Sequence, residues 1–344
     1  MKAAILESPG HLIVKEVPDP KLQSGSVLIK VKICSVCPTD VRTYRYGHPR
    51  IELPQILGHE IAGVVEGTKG VPGYKPGDRV ALTPRIACGK CFYCRKGQDI
   101  YCENSQTFGY QLPGGYAQYV LVPAWGVEYG VINKIADTLS FEEASIAEHL
   151  ACSLRAQKAL QVDKGDIVVV IGGGPVGIMH CRLAKLNGAG KVILIERDVK
   201  RLELVNLASV DNVIDSSKTD PKIEILALTE GRGADVVIVA CSSTQAQEES
   251  LYFAGKGGRV DFFGGLPAGQ STISIDSNLI HYQEISVLGS HSSTPDENRE
   301  ALDLIASKKV ETGDLITKVL PLDDIKEAFR FAQSNAGMNI AIRP

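Results

Sequence analysis

No charge of one sign dominates this sequence: 37 lysines and arginines stand against 40 aspartates and glutamates, a net charge of −3. With a pI near 6.2, there is no broad cationic face for a phosphate backbone or an anionic membrane, and nucleic acid is not expected as a partner. Long apolar runs are missing as well. The longest uncharged, mostly apolar run is Ile167 to Met179, closed by Asp166 and His180, whereas a spanning helix needs about 20 residues. No membrane span is expected. At the N-terminus, Glu7 comes before any apolar signal-peptide core, which reads as a mature cytosolic start and a cytoplasmic protein. Internal repeats and low-complexity tracts are absent too. Cysteine is not scarce, but its number, nine, is odd, and Cys88, Cys91, Cys94 and Cys102 crowd into fifteen residues. That distribution argues for metal ligation in a reducing compartment and against a disulfide frame.

The 344 residues, 44% of them hydrophobic, exceed what one ordinary domain uses, so two domains are expected. Up to about residue 135 the chain is rich in Gly, Pro and short β-type runs: Val27 to Ile33, Ile61 to Val65, Arg79 to Leu82 and Ala117 to Val122. Turn signals such as Pro72-Gly73 and Lys75-Pro76-Gly77-Asp78 separate them, as in a compact β-rich domain. From Ser140 the texture changes. Phe141, Ala144, Ala147, Leu150, Ala151 and Leu154 recur at helical spacing behind an N-cap serine, and a connecting helix is expected to begin there.

Apolar runs then alternate with helix-length segments: Ile167 to Ile171, Val192 to Ile195, Asn212 to Ile214, Val236 to Ala240, Arg259 to Phe263, and Ile285 to Leu288. Six mainly apolar strands separated this way predict an α/β, doubly wound parallel sheet of the Rossmann kind, covered on both faces. The tail, helical in pattern over Glu300 to Ser307 and Leu322 to Ser334, is expected to return to the first domain. The domain division is therefore 1–150 with 291–344, and 151–290.

Gly172, Gly174 and Gly177, with Pro175 and Val176 between them, fit G-x-G-x-x-G after the first of these strands, opening a helix to about Leu186. Glycines there permit the tight turn, close backbone approach to a pyrophosphate and close helix packing, while the helix N-terminus favours the anion. Glu196 ends the next strand nineteen residues after Gly177, placed to accept from the adenosine ribose hydroxyls and to repel a 2′-phosphate. NAD is thus favoured over NADP, with Arg197 and Arg201 nearby pulling the other way. Cys241, Gly264, Gly289 and Ser290 close later strands and are expected to line the same crevice.

Cys88-x2-Cys91-x2-Cys94-x7-Cys102 can close a four-sulfur tetrahedron around a structural zinc, leaving no open position for chemistry. Four cysteines could also hold an iron–sulfur cluster, but no neighbouring redox motif accompanies them. Two further pieces look chemical: Cys34-Ser35-Val36-Cys37-Pro38-Thr39-Asp40 and Gly58-His59-Glu60. An open zinc site needs a few N, S or O ligands and one exchangeable position, and Cys37 and His59 are the best candidates for two of them. Cys34 is read as packing, and Asp40 as orienting the local backbone.

Together with the cysteine cluster, the glycine loop and the domain order, these motifs resemble the zinc-containing medium-chain alcohol dehydrogenases over essentially the whole chain. The resemblance implies a GroES-like, zinc-binding catalytic domain beside the Rossmann domain. Similarity to the sorbitol and threonine dehydrogenase branch adds a carboxylate ligand, Glu60 or Glu148, with the other close by. It also implies a proton-carrying hydroxyl at Thr39. Two departures stand out: His149 occupies a position where the family usually carries proline, leaving surface, neighbour and substitute-ligand roles open, and Arg42 replaces a histidine that ends the family's proton relay.

By the same resemblance Tyr44, Arg45, Tyr46, Phe108 and Tyr110 fall near the cleft and suggest a polar alcohol or ketone substrate, a polyol, sugar alcohol, keto-sugar or sugar acid. The expected activity is zinc-dependent, nicotinamide-linked oxidation of a secondary alcohol. Alternatives are an L-threonine-type amino-alcohol dehydrogenase and a non-catalytic nucleotide-binding scaffold. His291-Ser292-Ser293 stands where sorbitol-type relatives often have an arginine, which argues against sorbitol itself. A homodimer or homotetramer is expected, paired through an edge strand near Thr272 to Ile275.

Overall fold

The computed structural model describes every residue except Ala268. The chain divides into two compact units, Met1–Ala151 with Ser292–Pro344, and Cys152–His291. The fold is α/β, a β-rich unit and a six-stranded Rossmann-like unit.

In the first unit the strand Val27–Ser35 is the centre of a seven-stranded sheet. It pairs antiparallel with Glu60–Thr68 and with Tyr119–Val122, in a register that sets Ser35 opposite Glu60. Alternate residues Val27, Ile29 and Val31 turn into a core with Leu57, Ile61, Phe108, Tyr116 and Phe329; full burial of each large apolar side chain contributes about 1.5–3 kcal/mol. The pairing of Ser35 with Glu60 has a chemical result: Cys37, two residues beyond the end of one strand, and His59-Glu60, at the start of the other, arrive at the same end of the sheet.

The expected connecting helix is two helices, Phe141–Ser145 and Ala147–Leu160. Ser140 forms a capping box with Glu143, each side chain bonding the other's backbone N–H at 3.1 Å. The interruption at Ile146 has a local cause. The Ser145 hydroxyl donates to Glu142 O at 2.8 Å and meets the Ser35 hydroxyl at 2.5 Å, a competition with regular helix bonding typical of serine. A new helix therefore starts at Ala147 and carries Glu148 and His149 in its first turn.

The returning tail holds the helices Pro295–Ala306 and Ile325–Gln333. It also holds two strands the sequence did not advertise, Ile316–Pro321 and Asn339–Arg343, which pair in parallel. The second joins Val27–Ser35 antiparallel, with Ala341 opposite Ser35 and Ile342 opposite Cys34.

The second unit is a parallel sheet in the order Asn212–Asp215, Lys191–Glu196, Ile167–Ile171, Ala234–Val239, Ala254–Phe262, Ser286–Gly289. All five residues of Ile167–Ile171 are buried, as a central strand covered on both faces requires. One expectation fails: Thr272 to Ile275 lies outside any strand. The edge slot is filled by Ser286–Gly289 pairing with Ala254–Phe262, and the segment before it leads into the Asp276-capped helix Ser277–Gln283. Among the described residues no helix is long and apolar enough to cross a membrane.

His180, on the helix Pro175–Leu186, is fully buried, with its ring edge-on to Phe263 at 4.8 Å and Nε2 without a hydrogen-bond partner. Burial pulls its pKa down to about 3. The folded protein thus refuses a proton that the unfolded chain accepts near its ordinary value of 6.5. Stability is fully present above that value and falls as pH drops toward 3. From this group alone, a fall from about pH 7 to about pH 5 should cost roughly 2 kcal/mol. Urea unfolding at the two pH values should show that loss, and His180→Leu should remove it; an unchanged pH dependence in the variant would mean the imidazole protonates in the folded state.

Candidate functional site

Three separate stretches deliver one buried cluster in the first unit. Cys37 caps the helix Pro38–Tyr46, His59 and Glu60 open the strand Glu60–Thr68, and Glu148 and His149 sit in the first turn of Ala147–Leu160. One ligand atom each from Cys37, His59 and Glu60 lies within 4.8 Å of the others, and the same holds for Glu60, Glu148 and His149. Glu60 is 0% exposed; its Oε1 has the His149 imidazole 2.8 Å away, and its Oε2 has no hydrogen-bond partner. A buried carboxylate oxygen left unsatisfied is costly, and a cation would satisfy it.

The charges around it fit one. Burial pulls His59 down, but the Asp40 carboxylate and the Cys37 sulfur outweigh it and hold the imidazole well above its ordinary pKa. Burial raises Cys37, yet His59 and His149 more than offset it and favour the thiolate. A divalent ion bound here would supply the positive charge that a protonated His59 otherwise provides. Thiolate, imidazole and carboxylate are a donor set that zinc accepts.

Asp40 departs from its expected part as a turn residue. It is buried, with Oδ1 3.3 Å from His59 Nδ1, while Oδ2 accepts from the Tyr116 hydroxyl at 2.8 Å. The reason is the helix Pro38–Tyr46: inside its first turn, Asp40 faces the core instead of a loop. Tyr116 is itself fully buried. No local pattern in the sequence marked Tyr116, and Asp40 was marked only for orienting the local backbone. Thr39 is half-buried with its Oγ1 3.5 Å from Arg42 Nη2. Cys34 stays apart from the cluster; its buried thiol, raised well above the ordinary value by burial, faces Ser35 O at 3.7 Å.

The five residues placed near the cleft by resemblance scatter. Tyr110 alone among them contacts a candidate ligand, edge-on to His59 at 6.0 Å, with His48 at 4.9 Å and the Arg50 guanidinium at 5.9 Å from its ring. Phe108 is wholly in the core, Tyr44 packs on Phe329 at 5.5 Å, Arg45 bonds Gln333, and Tyr46 is 74% exposed. Their spacing on a helix and a turn sends them to different faces. His48 and Arg50 were not singled out from sequence.

The second cluster lies in the loop after Arg85–Ile86. The Cys91 and Cys94 sulfurs are 3.5 Å apart, those of Cys88 and Cys94 4.0 Å, and the Cys88 amide donates to Cys102 Sγ at 3.2 Å. All four ligand atoms lie within 4.8 Å of one another. Zinc–sulfur bonds of about 2.3 Å give a tetrahedral edge of roughly 3.8 Å, which these separations bracket, whereas a disulfide needs about 2.05 Å. Backbone N–H groups, that of Cys94 foremost, hold the Cys91 thiol down at about 6, while burial pushes Cys94 up to about 12. Four thiolates together require a cation.

In the second unit the strand Ile167–Ile171 runs into Gly172, and Gly174 caps the helix Pro175–Leu186 with no side chain on its free amides. A Cβ at Gly174 would meet nothing within 4 Å, so the space before the helix is open to an anion; one at Gly177 would lie 1.8 Å from Gly172 O, so only glycine lets the helix approach. Glu196 accepts from the Gly173 amide at 2.7 Å through one oxygen and from the Arg197 and Asp198 amides at 2.7 and 2.8 Å through the other. Its carboxylate is thereby fixed beside the glycine turn. Of the neighbouring arginines, Arg197 is exposed and Arg201 buried. Pro175 and Val176 form the helix's first turn. Cys241 and Gly264 meet closely, a Cβ on Gly264 falling 2.1 Å from Cys241 O, and Gly289 is exposed at the sheet edge. Ser290 differs from expectation: it is buried, its hydroxyl donating inward to Asp261 Oδ2 at 2.5 Å, because the Asp261 carboxylate needs a donor there.

Residues 23–129 match the family model for the alcohol dehydrogenase GroES-like domain, and residues 175–307 match that for zinc-binding dehydrogenases. The chain is 32% identical over 338 residues to a sorbitol dehydrogenase of Halalkalibacterium halodurans, covering 97% of this chain and 96% of that protein. It is 34% identical over 341 residues to an L-threonine 3-dehydrogenase of Pyrococcus horikoshii, with the same coverage of 97% and 96%. A zinc-binding dehydrogenase of Sinorhizobium meliloti 1021, solved bound to NADP, superposes with a TM-score of 0.90 at 30% identity, over 100% of this chain and 99% of that one.

Proposed function

The chain belongs to the zinc-containing medium-chain alcohol dehydrogenases, and from that premise we propose that it moves a hydride between a secondary alcohol of polyol, sugar-alcohol or keto-sugar type and NAD. The observation that carries the reading is the gathering of Cys37, His59 and Glu60 ligand atoms within 4.8 Å of one another. A zinc ion held by Cys37, His59 and Glu60, with Glu148 beside them, would supply Lewis-acid polarisation of a substrate oxygen, and NAD on the glycine turn would supply the hydride acceptor. A second zinc at Cys88, Cys91, Cys94 and Cys102 is structural in this reading.

The chain's own groups do the rest. Asp40, braced by Tyr116, keeps its Oδ1 3.3 Å from His59 Nδ1, a contact that would favour Nε2 as the ligand atom. Thr39 Oγ1 would hydrogen-bond the alcohol's hydroxyl; Arg42 can donate to that oxygen but cannot accept a proton from it. Tyr110, with His48 and Arg50 around its ring, offers polar and aromatic surface for a hydroxylated substrate. Glu196 presents negative charge toward the ribose, which supports NAD, while exposed Arg197 is the group that would tolerate a 2′-phosphate. Nine cysteines outside any disulfide suit a reducing, cytoplasmic setting, and the edge strand Ser286–Gly289 leaves a ladder open for a homodimer or homotetramer.

The likeness to an L-threonine 3-dehydrogenase favours one competing substrate class, amino alcohols. The deciding measurement is turnover of the purified, zinc-loaded protein on polyols, sugar acids and threonine, each with NAD and with NADP. Polyol oxidation with NAD, at a kcat/KM at least tenfold above that with threonine or with NADP, is expected. No turnover on any secondary alcohol, with both zinc sites filled, would leave the scaffold reading standing.

A further inference from the structure

Glu60 belongs to two ligand groups at once, Cys37-His59-Glu60 and Glu60-Glu148-His149. The second brings in His149, a side chain only 6% exposed. Its Nε2 lies 2.8 Å from Glu60 Oε1, and it also bonds Cys37. Glu60 Oε2 has no hydrogen-bond partner, and Glu60, Glu148 and His149 each offer a ligand atom within 4.8 Å of the others, an oxygen and nitrogen donor set that zinc accepts. His149 therefore reaches both a thiolate and a carboxylate of the candidate metal cluster from the helix that also supplies Glu148.

We propose that His149 is itself a ligand of the ion held by Cys37, His59 and Glu60, so that the resting shell has two imidazoles, one carboxylate and one thiolate, with Glu148 in reserve. This rests on the reading of that cluster as a zinc site. The consequence is a closed resting shell: an incoming alcohol must displace a protein ligand, His149 or Glu60, whereas a three-ligand shell would keep a position open.

Cobalt(II) reports the shell directly through its visible d–d bands, without turnover. In the full-length protein, cobalt is loaded into the parent, into His149→Ala and into His149→Gln, with Cys37→Ser as the reference lacking the site. Alanine is well tolerated in a helical first turn, and thermal melting checks that each variant folds. If His149 binds the ion, both His149 variants should show altered bands and lose cobalt to a chelator at concentrations at least about 100-fold lower than the parent, more than loss of an outer-shell group costs. Gln can donate to Glu60 but is a poor ligand, so parent-like bands and retention in His149→Gln would overturn the proposal and make His149 a positioning residue. Parent-like behaviour of His149→Ala would overturn it too. A parent indistinguishable from Cys37→Ser would overturn the zinc reading beneath it, a result separable from the other two.

Discussion

Cys37→Ser should lower kcat/KM by about a thousandfold or more, since Lewis-acid stabilisation is worth several kcal/mol and each 1.36 kcal/mol is a factor of about ten. The substitution is nearly isosteric. It keeps the cap position of the helix Pro38–Tyr46, where Cys37 makes no side-chain capping bond, so the fold has little reason to respond. What changes is the donor: a thiolate favoured by His59 and His149 becomes a hydroxyl, which binds zinc weakly at neutral pH. Elemental analysis should fall from two zinc ions per chain toward one, with the Cys88 cluster retained and the melting temperature within a few degrees of the parent. Full turnover in a variant that has lost one zinc would remove Cys37 from the chemistry, and two retained zincs would remove it from the site.

Gly177→Ala should be almost as damaging, in the other unit and by a different cause. The added methyl would sit 1.8 Å from Gly172 O, an overlap that nothing local relieves, because alanine's Cβ has no rotamer and its neighbour is a backbone oxygen. The helix Pro175–Leu186 must withdraw from the strand Ile167–Ile171, and its N-terminal amides go with it. Overpacking of this kind costs about 1–3 kcal/mol and occasionally more. Calorimetric titration should find dinucleotide affinity at least about 100-fold weaker, and thermal melting should show the second unit destabilised. Binding as tight as in the parent would mean that the turn is not where the pyrophosphate rests. Glu196→Ala makes a useful companion, because it leaves the turn's packing alone while removing the carboxylate that bonds Gly173.

The parallel sheet was legible because burial on both faces leaves its strands as unbroken apolar runs; Ile167–Ile171 appears with the ends read from sequence. Ala254–Phe262 starts five residues before the Arg259 expected, since Gly255, Gly257 and Gly258 carry no apolar signal. The tail strand Ile316–Pro321 was hidden by Thr317 and Lys318, and Asn339–Arg343 by the polar residues at both its ends: what makes them strands is pairing set by the fold. The site divides along the same line. Residue types that carry chemistry, Cys37, His59 and Glu60, stand out locally, and the structure gathers them. The bonds that brace them, Tyr116 to Asp40 and Asp40 toward His59, join positions whose proximity only the register of strands decides. Substrate-side residues were the least readable, because Tyr44 and Phe108 are as useful to the core as to a ligand.

The last strand, Asn339–Arg343, zips onto the segment that leads straight to Cys37, with Val36 donating to Ile340 O at 2.9 Å. During synthesis the residues from 152 to 291 can finish their own sheet while the sulfur-bearing end of Val27–Ser35 still lacks this neighbour. Pairing between segments about 300 residues apart in sequence is slow to close. The strand that leads to Cys37 is therefore expected to gain this neighbour later than the second unit completes its own sheet.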